Sequence, residues 1–188
     1  MTKKALIPLI GIAIASFGIY AYASTFVRSA STCSPDSPTR FWVECEKAFS
    51  SNDMRAKGAA SVPSIGFWND YGYDFLSATT SSSTILSVSV GVEGRMGVTA
   101  GRGTSTSTCE TSSSTIAVRV SQDGGSSFGP SHGVTLVCTE ATTWVDVTGD
   151  WPTWTTDDLK DANFVVEAEC TSGACELDWL PVEVTTFP

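Results

Sequence analysis

The chain has 188 residues, 20 acidic side chains against 11 basic ones, a single histidine and a formal net charge of −9. An acidic surface is repelled by phosphate backbones, which argues against nucleic-acid binding. One histidine and the absence of any C-x-x-C pair leave little for a zinc site.

Lys3 and Lys4 precede an apolar run over residues 5–20, and Ala21-Tyr22-Ala23 follows immediately before Ser24. A basic start, an apolar stretch and an A-x-A site are the parts of a secretory signal peptide. Residues 1–23 are therefore expected to direct export. The alternative is a retained membrane anchor over residues 5–27, since a bilayer span needs about 20 apolar residues.

Export changes the reading of Cys33, Cys45, Cys109, Cys138, Cys170 and Cys175, because an even cysteine count in an oxidising compartment reads as disulfides. The sequence leaves the connectivity open. A sequential pairing, Cys33–Cys45, Cys109–Cys138 and Cys170–Cys175, is preferred, the last pair flanking a short turn-like segment.

Residues 24–40 read as an extended arm interrupted by Pro35 and Pro38, and residues 41–188 as one β-sandwich domain, a length usual for one domain. Residues 41–57 suit a strand or one short helix. Residues 58–83 are loop-rich and carry Phe67, Trp68, Tyr71, Tyr73 and Phe75.

From residue 84 onward period-two alternation dominates. Leu86, Val88, Val90 and Val92 form one row; Ile116, Val118 and Val120 another; Val134, Leu136 and Cys138 a third; Phe164, Val166, Ala168 and Cys170 a fourth. Leu177, Trp179, Val182 and Val184 complete the pattern in a last strand bent at Pro181. Alternation of this kind buries one face and wets the other, and several such strands between turn residues predict an all-β antiparallel sandwich. Cys138 and Cys170 fall in apolar rows, which places some bridges near the core. One short helical turn is expected at residues 155–160, where Thr155 offers an N-cap ahead of Asp157 and Asp158.

Glu167, Glu169, Glu176, Asp178 and Glu183 are expected on the wet faces of two neighbouring strands, as a solvated acidic face or as the paired carboxylates of a small glycoside hydrolase. No cofactor is expected; the alternative is a cation bridging those carboxylates, or a structural calcium held by oxygen ligands in the acidic loop 146–161, which lacks the EF-hand spacing. Trp68, Trp151 and Trp154 are candidate sugar-stacking residues, although Trp144, Trp151 and Trp154 suit the core better. Gly125 to Gly129 fits G-x-S-x-G, but Pro130 follows where the nucleophile elbow needs a helix. His132 reads as a loop residue.

Ser121, Asp123, Gly125, Ser127 and Phe128 match S-x-D-x-G-x-[ST]-[WF], and this stretch resembles the Asp-box hairpin of sialidase-like propellers. The resemblance covers one hairpin and implies a turn tied by the Asp side chain. Trp42, Ala48, Asn52, Asp53 and Ala56 at one end, with Trp151, Trp154, Thr156 to Leu159, Asn163-Phe164, Leu177-Asp178-Trp179 and Val182 to Thr185 at the other, resemble a module of secreted and phage-surface proteins. That resemblance implies a jelly-roll-like β-sandwich with a structural, adhesive or glycan-contacting role and no catalytic residues. The expectation is thus a secreted or cell-surface, non-enzymatic protein that contacts surface glycans or other subunits. One form is a filament subunit whose arm adds a strand to a neighbour; the alternative is a carbohydrate-binding module. Membrane contact is expected only through an uncleaved residue 1–23 segment.

Overall fold

The computed structural model describes residues 22–35, 42, 44–59, 67–73, 75, 83–97, 113–160 and 162–188. The expected signal segment lies outside them apart from Tyr22 and Ala23, as does Cys109. Among the described residues no helix is long and apolar enough to cross a membrane.

The chain forms β1 (Ser24–Arg28), β2 (Thr32–Pro35), β3 (Ala56–Ala59), β4 (Phe67–Gly72), β5 (Thr84–Met96), β6 (Ser114–Ser121), β7 (His132–Leu136), β8 (Ala141–Asp146), β9 (Val165–Ser172), β10 (Ala174–Trp179) and β11 (Val182–Phe187). One sheet runs β1-β11-β5-β10-β3 with β8 on the other side of β5; the second runs β2-β4-β9-β6-β7. Among the described residues every strand pairing is antiparallel, so the fold is an antiparallel β-sandwich. From β1 to β6 successive strands alternate between the sheets, so most loops cross the edge of the sandwich.

The alternating rows make the core. Val88, Val90 and Val92 of β5, Leu177 of β10 and Val182 and Val184 of β11 face Ile116, Val118 and Val120 of β6 and Val166, Ala168 and Cys170 of β9, all fully buried. Each such aliphatic side chain contributes roughly 1.5–3 kcal/mol on leaving water. At one end Tyr73, Phe75 and Phe164 pack with centroids 5.7–6.3 Å apart, and Trp154 joins Phe164 at 6.0 Å. Two of the polar atoms that enter the core find carbonyl partners, Trp42 Nε1 donating to Ala168 at 2.9 Å and Tyr73 Oη to Leu180 at 2.7 Å, whereas Tyr71 Oη is buried without one.

Four details differ from the sequence reading. The stretch read as an arm is extended, but residues 24–28 and 32–35 are built into both sheets, β1 beside β11 and β2 beside β4. The expected last strand is two, because Leu180 and Pro181 interrupt it; β10 and β11 then lie end to end along the same side of β5. Residues 155–160 form hydrogen-bonded turns closed by Thr155 and Asp158, while the 3-10 turns occur at Cys45–Ala48 and Thr148–Asp150. Cys138 is exposed, because β7 stops at Leu136 before the apolar row reaches it.

Cys33–Cys45 ties β2 to the 3-10 turn at Cys45–Ala48. Cys170–Cys175 joins β9 to β10, and therefore one sheet to the other. Cys138 is also disulfide-bonded. Between Cys170 and Cys175, Gly173 turns at φ 67°, a left-handed backbone that glycine adopts without strain. Replacing Cys170 and Cys175 together by Ser is expected to lower the unfolding free energy by about 2 kcal/mol, the order expected for closing a short loop. Urea unfolding followed by tryptophan fluorescence checks this, with an unchanged midpoint as the contrary result.

Candidate functional site

The hairpin between β6 and β7 is held by its own side chains. Ser121 Oγ donates to Asp123 Oδ1 at 2.7 Å and accepts from the Gly125 amide at 2.9 Å. Asp123 accepts from the Ser127 amide at 2.8 Å and from Ser127 Oγ at 2.6 Å. Gly124 and Gly125 supply the positive φ that this turn needs. Phe128 lies under the Arg119 guanidinium, 4.5 Å from its ring centre. The Ser127 hydroxyl, the central position of G-x-S-x-G, is thus committed to Asp123. The Ser127 and Ser121 hydroxyls and the Ser127 amide hold the Asp123 carboxyl down at about 2.

The carboxylates expected to cluster on neighbouring strands do not. β9 and β10 belong to different sheets, so Glu167 and Glu169 lie apart from Glu176 and Asp178. Glu167, buried, takes both arms of Arg119 at 2.5 and 2.9 Å. Burial, and secondarily the charge of Glu167, raises the pKa of Glu169. Glu176 accepts from Arg95 at 2.8 Å. In the acidic loop, Asp146 accepts from the Thr148 amide, Asp150 meets His132, Asp157 pairs with Lys160 and Asp158 accepts from Thr155, so these carboxylates are already engaged. His132 is not a loop residue but the first position of β7, its Nε2 2.9 Å from Asp150.

The tryptophans divide by burial. Trp154 is half-buried and donates to the Thr148 carbonyl at 2.9 Å; Trp151 is half-buried beside the core, its Nε1 buried without a partner. The side chain of Trp68 lies outside the described residues, its backbone pairing with Glu169. Trp144, expected in the core, is 44% exposed and is the one exposed tryptophan among the described side chains. The signal for it was in the sequence: Val145 and Val147 define the apolar phase of β8, so Thr142, Trp144 and Asp146 share the wet face.

That face belongs to the six-stranded sheet. Trp144 pairs in register with Gly91, between the Glu93–Thr142 and Ser89–Asp146 pairs. A Cβ at Gly91 would stand 3.1 Å from Trp144 Cζ3 and 2.6 Å from Pro181 Cγ, so the indole and the proline ring together cover this strip of bare backbone. Hydroxyls and carboxylates surround the aromatic strip. Further along the sheet, an open cleft of about 280 Å³ is lined by Lys47, Arg55, Lys57, Arg95 and Glu176 among others.

No family model matches the chain, and no curated protein matches its sequence. Among solved structures, TmCBM61 in complex with β-1,4-galactotriose aligns over 80% of this chain and 86% of its own, at 11% identity and a TM-score of 0.34. The apo form of BiXyn10A CBM1 aligns over 90% of this chain and 92% of its own, at 8% identity and a TM-score of 0.34.

The Asp123 carboxyl is more acidic folded than unfolded, so its stabilisation is present above the ordinary carboxyl range and is lost as pH falls towards 2. Asp123→Asn is therefore expected to lower Tm at neutral pH, with the gap to wild type closing between about pH 4 and about pH 2. Calorimetry across that range checks it; a gap independent of pH is the contrary result.

Proposed function

We propose that this protein is a secreted, non-catalytic carbohydrate-binding β-sandwich whose binding face is the outer surface of the six-stranded sheet, centred on Trp144. The observation that carries this reading is an exposed indole lying over Gly91 and Pro181 among polar side chains. A sugar presents flat C–H faces and a rim of hydroxyls. An aromatic platform ringed by hydroxyls and carboxylates answers both at once, because the ring surface is apolar while its surroundings accept and donate hydrogen bonds. Such a platform needs a rigid base, and β5 supplies it, paired with β8 on one side while on the other the Gly91 amide donates to the Pro181 carbonyl at 2.8 Å. The disulfides Cys33–Cys45 and Cys170–Cys175 support an oxidising, extracellular location.

Neutral β-linked gluco-, xylo- and galacto-oligosaccharides are the probes to titrate. Quenching or blue shift of tryptophan emission with at least one of them is expected for wild type. Trp144→Ala is expected to abolish that change while leaving stability within about 0.5 kcal/mol, since the side chain is a surface one. Wild type that responds to none of the sugars, or a Trp144→Ala variant that binds as well as wild type, refutes the assignment.

A further inference from the structure

On the same sheet, beyond the Trp144 strip, three carboxylates converge from separate elements: Glu93 of β5, Glu140 just before β8 and Asp178 of β10. One oxygen of each lies within 4.8 Å of the others. Asp178 is 1% exposed. Its Oδ2 accepts from the backbone amides of Asn52 and Asp53 at 3.1 and 3.2 Å, and its buried Oδ1 has no partner. The register of β10 on β5 shifts between Leu177 and Trp179, at Asp178 itself. A bulge of this kind re-aims a side chain.

The other two carboxylates are oriented by neutral or cationic donors. Glu93 accepts from Ser51 Oγ at 2.9 Å and from Thr142 Oγ1 at 3.2 Å. Glu140 accepts from Arg55 Nε at 3.1 Å and also from Arg55 Nη2. Arg55 is shared with Asp53. The one guanidinium thus answers Glu140 and Asp53, and the negative charges of Glu93 and Asp178 remain without a cation in a half-buried place. Leaving them so is costly, because burial and like charge both disfavour the ionised form.

We propose that Glu93, Glu140 and Asp178 bind a calcium ion. A hard divalent cation takes oxygen ligands, and calcium, at metal–oxygen distances of about 2.3–2.6 Å in flexible geometry, suits carboxylates that converge from separate elements. Magnesium, at about 2.1 Å, demands near-ideal octahedral geometry and gives up its waters reluctantly, so it suits such an irregular set less well. Each carboxylate keeps lone pairs beyond its present hydrogen bonds. The ion supplies the two missing charges and gives Asp178 Oδ1 its partner. It thereby ties the 50–53 loop, through Asp178, to β5 and to the start of β8. The site shares Glu93 with the rim of the proposed sugar-binding face, but calcium binding is read without any sugar.

The test uses the purified full-length chain, stripped with EGTA and titrated with calcium chloride. Tm is expected to rise with calcium concentration, with binding heat in calorimetry and a smaller shift for magnesium chloride at equal concentration. Asp178→Asn keeps an acceptor for the two amides and removes the buried charge. It is expected to be folded in EGTA, by far-ultraviolet circular dichroism, and to bind calcium roughly tenfold or more weaker. Glu93→Gln, at a more accessible position, is expected to show the same loss and carries the test if Asp178→Asn does not fold. Identical Tm in EGTA and in calcium with no binding heat overturns the proposal. So does a full calcium response in the variants, or a magnesium shift equal to that of calcium.

Discussion

Two sheets can bury their inner faces only against each other, and the single layer of side chains between them holds this molecule together. Val88, Val90 and Val92 on one side meet Ile116, Val118 and Val120 and the β9 row on the other. A one-residue slip in any of these strands would turn valines outward and bring serine, glutamate or arginine in. Register is therefore set by the core, and the outer faces inherit it. The position of Trp144 on the wet side follows from Val90 and Val145 being on the dry side of the same pair of strands.

The acidic composition meets this constraint at places where charge cannot reach bulk water. Glu167 is buried and answered by a two-armed contact with Arg119, which also lies over Phe128. Glu176 is answered by Arg95 and Glu140 by Arg55. The same rule makes Asp178 conspicuous, since half of its carboxylate is held by two amides and the other half faces acidic neighbours. Adjoining parts of the sheet's outer face thus differ in chemistry: an apolar ring over bare backbone on β8, and next to it clustered charge where the 50–55 segment approaches β10.

Much of the fold was legible because period-two alternation is a local property. The rows of β6, β9 and β11 read from the sequence are buried as rows, the β5 row is buried from Val88 onward while Leu86 reaches solvent, and Cys33–Cys45 and Cys170–Cys175 pair as neighbours in the chain suggest. The candidate site was less legible. Trp151 and Trp154, candidate stacking residues that suited the core better, do pack beside it, whereas Trp144, read with them, reaches solvent. A tryptophan's burial depends on what lies across the sheet from it. Gly91 and Pro181, which lie next to the Trp144 ring, are 53 and 37 residues away in the chain.

By itself the sequence determined the fold class, the apolar face of most strands and the self-tied turn at Ser121–Ser127, because each depends on residues within one strand or one hairpin. Only the tertiary structure decided which strands share a sheet. That choice separated Glu167 from Glu176 by putting β9 and β10 in different sheets. It also built β1 and β2 into the domain and brought Glu93, Glu140 and Asp178 within one ion's reach. The physical reason is that sheet membership is set by burial and hydrogen bonding summed over the whole chain, and alternation says which face of a strand is apolar but not which strand lies beside it.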